Sequence, residues 1–474
     1  MELSSMDVVR ATGGHLVTGE AGQSGATFTG VSIDSRDIGE GELFFAVTGD
    51  RFDGHDFVST LPEKRAGGAV VSREWKGLST LSETDSSRNF SIIAVDETRK
   101  ALGDTAKEWR AQHPIPLAAV SGSCGKSTTK EMIAAILGVK REVLKTEGNR
   151  NNLLGLPLTL LGLRERHEVG VVELGISESG EMTRLVEIAQ PDVALLTNIG
   201  ISHIASLGGF QRVAAAKGEL FKALKEDGTE VINLDDLWIV EMTTGSKRQQ
   251  ITYSIEEKTD VSLKGFEVKG AASERMAATF SIFDDEIEVE VRGIGSYTLS
   301  NAAAAIATAH VMGCDREEIA EGLSRYIPMK NRMEPIVVGA ITILNDTYNA
   351  NPDSMEAALR ALSDYPGRKI AVMGDMLELG DIAGNIHRRM GALAVRMGVE
   401  KLIVYGEFQG EAHEGAVEEG MDGASLFTVE SKEEAVGAVM EIVADGDVVL
   451  VKGSRGMRME EVVEKLKEGL SVRQ

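Results

Sequence analysis

The pattern of apolar and polar residues divides the chain into three parts. In residues 1–112, short apolar runs such as 42–47 and 68–71 lie between turns rich in Gly and Asp, which predicts short strands in a mixed α/β fold. The sequence His-Pro-Ile-Pro follows at 113–116. Because a proline disfavours helix in the residue before it, we expect a linker at this point.

Beyond the linker, apolar runs of strand length alternate with stretches of helical periodicity. The runs at 169–174 and 193–197 predict buried strands, and 210–225 predicts a helix. A strand-rich, acidic insertion is expected at about 252–292, followed by an Ala-rich helix that begins near Asn301. This alternation favours a mostly parallel sheet wrapped by helices.

The last part of the chain repeats the alternation. Strands are predicted at 336–344, 369–373, 401–405 and 448–452, with helical patterns between them. The pattern is typical of a doubly wound sheet, in which ligands bind beyond the carboxyl ends of the strands.

One stretch of the second part, 117–137, combines a strand, a turn of small residues and a helix. Gly122 and Gly125 let the backbone approach an anion, and the helix directs N–H groups and the positive end of its dipole toward it. Lys126 adds a mobile charge and Ser127 a hydroxyl suited to Mg²⁺. The sequence therefore predicts a short nucleotide-binding phosphate loop, the alternative being an ordinary strand-to-helix turn with a surface lysine.

Cys124 lies inside this predicted loop. Because a helix N-terminus stabilises a nearby anion, we expect the thiolate form of Cys124 to be favoured. Cys124 should then react with alkylating reagents faster than Cys314.

A chain of 474 residues is too long for a single core. We therefore expect an α/β protein with three domains, at 1–112, 113–328 and 329–474. The first is expected to be a mixed α/β domain, the second a P-loop domain with a mostly parallel sheet, and the third a Rossmann-like, doubly wound domain.

The balance of charge limits the classes of ligand. Asp and Glu number 74 against 50 Lys and Arg, which gives a net charge of −24. This excess disfavours binding to nucleic acid or anionic membranes, whereas local Arg, Lys and helix N-termini can still hold a phosphorylated small molecule. The two cysteines are far apart in sequence, which indicates a reducing compartment.

Neither a signal peptide nor a membrane span is visible in the sequence. No apolar run approaches the length of a span, and the first residues lack a basic segment followed by an apolar one. We expect a cytoplasmic protein that is not inserted in a membrane. A monomer is the expectation, although no motif encodes the oligomeric state.

Four further polar residues are candidates for metal, phosphate or ligand chemistry. Glu173 ends a predicted strand, where nucleotide enzymes hold Mg²⁺, although an acid at this position can also simply face water. His203 lies in a loop and Lys217 in a helix, where most such side chains are only solvated. Asp346 falls at the carboxyl end of a strand in the last part.

Ordered motifs run along the whole chain. They are Asp34-Ser35-Arg36, Gly49-x-Arg51-x-Asp53-Gly54-His55, Gly122-x-x-Gly125-Lys126-Ser127-Thr128-Thr129-Lys130-Glu131-Met132, Gly148-Asn149-x-Asn151-Asn152, Glu173-Leu174-Gly175, Thr197-Asn198-Ile199-Gly200, Ala216-Lys217-x-Glu219, Asp346-x-Tyr348-Asn349-Ala350-Asn351-Pro352-Asp353 and Lys452-Gly453-Ser454-Arg455. In this order and number the motifs resemble the Mur ligases of peptidoglycan synthesis. The Tyr-Asn-Ala-Asn-Pro and Lys-Glu-Met variants look like the member that adds a dipeptide rather than those that add one amino acid.

This resemblance implies a three-domain ligase that uses ATP and Mg²⁺. The first domain would bind UDP-N-acetylmuramoyl (UDP-MurNAc) tripeptide, the second would bind ATP, and the third would receive D-alanyl-D-alanine. ATP would phosphorylate the terminal carboxylate of the UDP-MurNAc-tripeptide to an acyl phosphate. The dipeptide amine would attack this intermediate, and phosphate would leave.

The resemblance also implies roles for individual residues. Catalytic roles fall to Lys126, His203 and Lys217, and Lys217 is expected to be carbamylated. Nucleotide contacts fall to Gly122, Ser123, Cys124, Gly125, Lys126, Ser127, Thr128, Asn301, Arg332 and Asp346. Substrate contacts fall to Ser35, Arg36, Asn149, Asn151, Asn152, Asn349 and Asn351, and metal contacts fall to Ser127, Glu173 and His203.

Several alternatives stay open at the level of sequence. A sister ligase that adds diaminopimelate, lysine or glutamate is disfavoured by the motif at 349–352, and a non-catalytic nucleotide-controlled binding protein by the pairing of Glu173 with Lys217. Asn349 and Asn351 either meet the dipeptide or order their own loop. No readable motif says whether the third residue of the tripeptide is diaminopimelate or lysine. Tyr297 stands where many relatives have His, and it receives no role.

Overall fold

The computed structural model describes residues 2–18, 25–49, 52–80, 90–200, 207–269 and 275–473. The first part contains helices α1 (Ser5–Thr12) and α2 (Thr98–Gln112) and strands β1 (Leu3–Ser4), β2 (His15–Thr18), β3 (Thr27–Phe28), β4 (Val31–Ser32), β5 (Leu43–Phe45), β6 (Gly68–Ser72) and β7 (Ser91–Val95), with 3₁₀ helices at Gly54–Lys64 and Lys76–Thr80. Strands β2, β7, β6, β5 and β4 form a sheet in that order, and β1 pairs with β3. The strands predicted at 42–47 and 68–71 are confirmed as β5 and β6.

Helix α2 packs between the first sheet and the helices of the second, in one continuous apolar cluster. Near its end, the buried guanidinium of Arg110 donates hydrogen bonds to the carbonyl oxygens of Ala189, His113 and Ile115 at 3.1, 2.7 and 2.7 Å. The expected linker at 113–116 has neither helix nor strand, and Arg110 holds it in place.

The second sheet is mostly parallel, as predicted. Its strands are β8 (Leu117–Ser121), β9 (Val143–Lys145), β10 (Val169–Glu173), β11 (Val193–Leu196), β12 (Thr229–Asn233), β13 (Gln249–Ser254), β14 (Val261–Lys269), β15 (Arg275–Ile282) and β16 (Asp285–Arg292). They lie in the order β16-β15-β14-β13-β12-β11-β8-β10-β9. The pairs from β9 to β14 are parallel, whereas β14, β15 and β16 pair antiparallel. The acidic insertion is thus confirmed as strands that extend the sheet.

Helices cover both faces of this sheet. They are α3 (Lys126–Leu137), α4 (Gly155–Leu160), α5 (Glu181–Ala189), α6 (Phe210–Ala223), α7 (Leu237–Thr243), α8 (Ser296–Val311) and α9 (Arg316–Arg325). Helices α3, α8 and α9 belong to one apolar cluster, and α2, α4, α5, α6 and α7 to the other. Helix α8 begins five residues before the predicted start at Asn301, because Thr298 and Leu299 are buried and their packing extends the helix beyond its Ala-rich segment.

The last sheet is doubly wound. Its strands are β17 (Glu334–Val338), β18 (Ile341–Asp346), β19 (Lys369–Gly374), β20 (Lys401–Tyr405), β21 (Leu426–Val429) and β22 (Val448–Lys452), and its helices are α10 (Pro352–Asp364), α11 (Ala383–Arg396), α12 (Gln409–Glu418), α13 (Lys432–Ile442) and α14 (Glu460–Val472). The order is β17-β18-β22-β19-β20-β21, parallel from β18 to β21. Helices α10, α11 and α12 cover one face, and α13 and α14 the other. Short 3₁₀ helices occur at Gly380–Ile382, Gly423–Ser425 and Arg455–Met457.

The prediction of a single strand at 336–344 was wrong. Strands β17 and β18 form an antiparallel hairpin, with the turn at Gly339 and Ala340. Gly339 has a φ of 61°, a left-handed conformation that glycine adopts without steric cost. The apolar residues on both sides of the turn hid it in the sequence pattern.

Within the described ranges, no helix combines the length and the apolar character that crossing a bilayer requires.

Helices α11 and α12 approach closely where glycine leaves no side chain between them, and a substitution at Gly415 tests this packing. A Cβ at Gly415 would collide with the carbonyl oxygen of Arg388. We expect Gly415→Ala to lower the free energy of unfolding by about 1–3 kcal/mol through overpacking. Gly437→Ala in α13 is the matched control because its Cβ would meet nothing within 4 Å; helix propensity should make it neutral or stabilising by up to about 1 kcal/mol. Urea unfolding measures both, and equal midpoints for the two variants would contradict the close crossing.

Candidate active site

The phosphate loop joins β8 to α3 and needs glycine at two positions. Gly122 and Gly125 have φ angles of 140° and 82°. A Cβ at Gly122 would collide with the Thr197 hydroxyl, and a Cβ at Gly125 with the Asn301 carboxamide oxygen. Gly125 is also the N-cap of α3, so no side-chain oxygen covers the N–H groups of the first turn. The helix N-terminus is therefore available to an anion.

A second loop, which follows β11, supports the phosphate loop from behind. The Ser123 N–H donates to the Asn198 carbonyl oxygen at 3.0 Å, and the Cys124 N–H donates to the Asn198 Oδ1 at 2.9 Å. The Thr197 hydroxyl donates to the Cys124 carbonyl oxygen at 2.5 Å. These contacts fix the loop before any ligand binds.

Two lysine amines meet at the same carbonyl oxygen. Nζ of Lys126 and Nζ of Lys217 donate to the Gly122 oxygen at 2.8 and 3.0 Å. Lys217 is 3% exposed. Desolvation lowers the pKa of Lys126, and desolvation together with the charge of Lys126 holds the pKa of Lys217 well below its usual value. The neutral amine of Lys217 is therefore favoured.

Glu173 ends β10 beside this pair and is 2% exposed. Its Oε1 accepts a hydrogen bond from Nδ2 of Asn151 at 2.7 Å, and its N–H donates to the Thr146 hydroxyl at 2.9 Å. Its Oε2 is buried and accepts no hydrogen bond from the described residues. A buried carboxylate oxygen without a partner is costly unless a cation binds it.

His203, a sequence-predicted metal ligand, lies outside the described residues. In the part of the chain that the structure does describe, no group of three or more His, Cys, Asp or Glu side chains could hold a metal ion. Ser127 is 2% exposed and lies in the first turn of α3.

Residues of the last sheet form the opposite wall of the site. Nη2 of Arg332 donates to the Ser127 hydroxyl at 3.0 Å. The two carboxylate oxygens of Asp346 accept hydrogen bonds from the Met333 N–H at 3.0 Å and from Nζ of Lys452 at 2.5 Å. The walls enclose a cleft, which is lined by Cys124, Gly125, Thr128, Tyr297, Asn301, Arg332, Met333, Asp346, Tyr348, Asn349, Ser354, Ala357, Ala358 and Lys452.

Six of the sequence-predicted nucleotide residues line this cleft, and the structure adds others. The six are Cys124, Gly125, Thr128, Asn301, Arg332 and Asp346. Sequence reasoning gave no role to Tyr297, Tyr348 or Lys452, although the last two fall inside the quoted motifs. Burial raises the pKa of the Tyr297 hydroxyl well above its usual value. Asn301 accepts a hydrogen bond from the Thr129 hydroxyl at 3.1 Å, which ties α8 to α3.

The side-chain oxygens of Asn351 and Asn349 order the loop before α10 and tie it to the loop that follows β22. Oδ1 of Asn351 accepts the Ser354 N–H at 2.8 Å and caps α10, and Oδ1 of Asn349 accepts the Arg455 N–H at 3.1 Å. The Asn351 amide also reaches the phosphate loop, with Nδ2 3.5 Å from the Ser123 carbonyl oxygen. The side-chain oxygens thus serve local order, and this amide group spans the two walls.

The predicted substrate residues of the first part lie in a local cluster. Arg36 binds Asp34 with two parallel contacts, Nε to Oδ1 at 2.9 Å and Nη2 to Oδ2 at 2.6 Å. Hydrogen bonds from Arg36 lower the pKa of Asp34 to about 2. Lys64 donates to the Ser35 carbonyl oxygen at 2.6 Å.

The asparagines of the predicted substrate loop before α4 differ in their contacts. Asn152 Oδ1 accepts the N–H groups of Leu154 and Gly155 at 3.1 and 2.9 Å, whereas the Asn151 side chain faces Glu173. Asn149 is exposed. The structure therefore brings Asn151, but not Asn152, to the candidate metal ligand.

Cys124 does not meet the expectation of a favoured thiolate. Burial of the thiol raises its pKa, and the nearby charges of Lys452 and Lys126 offset this only in part. Burial raises the pKa of Cys314 as well. Desolvation of the thiol thus outweighs the attraction of its thiolate to the two lysines.

Comparisons with known proteins agree along the whole chain. Three family models match: "Mur ligase family, catalytic domain" at 27–110, "Mur ligase middle domain" at 120–309 and "Mur ligase, glutamate ligase domain" at 331–455. The chain is 36% identical over 446 residues to UDP-N-acetylmuramoyl-tripeptide–D-alanyl-D-alanine ligase of Bacillus subtilis, covering 93% of each. It is 32% identical over 463 residues to the Escherichia coli enzyme of the same name, covering 96% of this chain and 97% of that one.

Solved structures of similar proteins have the same architecture. A crystal structure of MurF from Acinetobacter baumannii aligns with a TM-score of 0.88 at 29% identity, covering 99% of both chains. MurF ligase from Thermotoga maritima in complex with ADP aligns with a TM-score of 0.82 at 29% identity, covering 94% of this chain and 98% of that one.

The raised pKa of Cys124 and its position in the cleft predict slow, nucleotide-sensitive alkylation. Because less thiolate is present at neutral pH, iodoacetamide should label Cys124 slowly at pH 7, and the rate should rise with pH beyond the ordinary thiol range. ADP should slow the reaction because Cys124 lines the cleft. Peptide mass spectrometry follows the labelling, with Cys314 as the internal reference. Rapid labelling at pH 7 that ADP leaves unchanged would contradict the assignment.

Proposed function

The chain belongs to the Mur ligase family, and we propose that it joins D-alanyl-D-alanine to a UDP-MurNAc-tripeptide in an ATP-dependent reaction. The names of the most similar relatives support this choice over ligases that add a single amino acid. The single structural observation that carries it is the cleft between the first turn of α3 and the wall formed by Arg332 and the first turn of α10, with Lys217 bound to the Gly122 carbonyl oxygen of the adjoining phosphate loop.

ATP fits between the two walls with its phosphates at the N-terminus of α3. The open first turn supplies N–H donors, and Lys126 supplies a charge that can follow the transferred phosphoryl group. Thr128, Asn301 and Asp346 line the cleft. The loop is already ordered by Asn198, so little reorganisation is needed when the nucleotide binds.

The donor set at the mouth of the loop also fits Mg²⁺. The free Oε2 of Glu173 and the Ser127 hydroxyl are oxygen ligands of the kind that Mg²⁺ prefers, and we propose His203 as a further ligand. When bound, Mg²⁺ would stabilise negative charge on the phosphates. Asn151 donates to the other Glu173 oxygen and so fixes the orientation of the carboxylate.

We propose that Lys217 is carbamylated in the active enzyme. A neutral amine adds to carbon dioxide, forming an N–C bond and releasing one proton, whereas an ammonium cannot. The lowered pKa of Lys217 favours the reactive form. The product is an anion that relieves the repulsion between Lys217 and Lys126 and offers oxygen atoms to a cation.

In the reaction, the terminal carboxylate of the tripeptide attacks the γ-phosphorus of ATP, and ADP leaves. The dipeptide amine then attacks the carbonyl carbon of the acyl phosphate, loses a proton, and displaces phosphate. Because acyl phosphates hydrolyse readily, the site gains from excluding water, and the contact of Asn351 with the phosphate loop helps to join the two walls. Ser35, Arg36, Asn149 and Asn152 are proposed to face the UDP-sugar part of the substrate.

Substrate preference tests this proposal. ADP release should be fast with D-alanyl-D-alanine and UDP-MurNAc-tripeptide, and the assay compares tripeptides that end in diaminopimelate and in lysine. D-Alanine, glutamate or lysine alone should give background rates. Lys126→Ala serves as the impaired control, with kcat lowered by at least about 10²-fold because one preorganised charge contact is lost. Faster addition of a single amino acid to a shorter UDP-MurNAc precursor would replace the proposal with a sister-ligase activity.

A further inference from the structure

Tyr348 lies in the cleft between two arginines. The Cζ atom of Arg332 is 4.0 Å from the centre of the Tyr348 ring, and that of Arg455 is 5.8 Å away. Both distances fall within the range of cation–π attraction, and the first corresponds to direct stacking on the ring face. None of the roles discussed above involves the Tyr348 side chain.

The guanidinium that rests on Tyr348 is directed at the phosphate loop. Its Nη2 donates to the Ser127 hydroxyl at 3.0 Å. Its Nε is buried and makes no hydrogen bond to any described residue. A buried donor without a partner is costly, and an anionic oxygen beside Ser127 would satisfy it.

The fold brings the ring and the guanidinium together from one hairpin. Arg332 precedes β17 and Tyr348 follows β18, and the Tyr348 N–H donates to the Asn331 carbonyl oxygen at 2.9 Å. The Arg332 side chain then crosses to Ser127 of α3. A free arginine side chain has many rotamers, and stacking on a fixed ring removes this freedom before the ligand binds.

We propose that Tyr348 is a positioning residue, whose ring holds the Arg332 guanidinium in the orientation that contacts the phosphates of a nucleotide bound at α3. This proposal depends on the proposed function only for the identity of the nucleotide, which is ATP. Tyr348 thus acts through Arg332, and its hydroxyl is not needed.

Two substitutions separate the ring from the hydroxyl. Tyr348→Leu removes the ring face and should lower kcat/KM for ATP by about 5- to 30-fold, the size expected for a desolvated cation–π contact. Tyr348→Phe keeps the ring face and should stay within about 2-fold of the parent chain. Equal losses in the two variants would overturn the proposal.

Ligand binding tests whether Tyr348 acts through Arg332. Tyr348→Leu should weaken ADP binding but leave the inhibition constant of adenosine unchanged, because adenosine has no phosphate. In an Arg332→Gln background, Tyr348→Leu should cause no further loss for ADP. An equal loss for adenosine, or additive losses in the double variant, would show instead that Tyr348 contacts the base or only packs the wall.

Fluorinated phenylalanines in place of Tyr348 keep the inference testable if Tyr348→Leu fails to fold. Fluorination withdraws the negative charge of the ring face at nearly constant shape, so ADP affinity should fall in steps as fluorine atoms are added. A flat series would overturn the proposal. Failure of the parent chain to bind ADP at all would instead overturn the proposed function.

Discussion

The amines of Lys126 and Lys217 both donate to the carbonyl oxygen of Gly122, and the rest of the site depends on how their charge is managed. Two ammonium ions at this oxygen each lose hydration and repel one another. Lys126 lies at the open end of α3 with Glu173 nearby, whereas the deeper Lys217 has its pKa held well below its usual value. We therefore propose Lys126 as the cation that binds phosphate and Lys217 as the amine that is carbamylated.

Neighbouring residues hold the phosphate loop and Glu173 in place around the two lysines, and these contacts leave the ligand-binding groups of the site available. Asn198 and Thr197 hold the phosphate loop from behind, and Asn151 holds one oxygen of Glu173. The last sheet contributes the other wall through Arg332, which reaches Ser127. The site is complete only when two sheets are brought together, as a ligase that must protect an acyl phosphate from water requires.

The sequence predicted those features that short-range periodicity encodes. The parallel sheets and most strands followed from apolar runs, but the turn at Gly339 was hidden between two such runs, and α8 began before its Ala-rich segment. Motifs identified the residues around the cleft. They did not reveal that Arg332 stacks on Tyr348, or that desolvation raises the pKa of Cys124, because both depend on tertiary packing.

The central claim is that Lys217 acts as an anion made from a neutral buried amine, and carboxylate rescue tests it most directly. The measurement is kcat of Lys217→Ala with and without added formate, with Lys222→Ala, an exposed lysine of the same helix, as the matched control. The account predicts that Lys217→Ala is nearly inactive, that formate partly restores its activity, and that Lys222→Ala behaves like the parent chain in both conditions. Full activity of Lys217→Ala without formate would contradict the account.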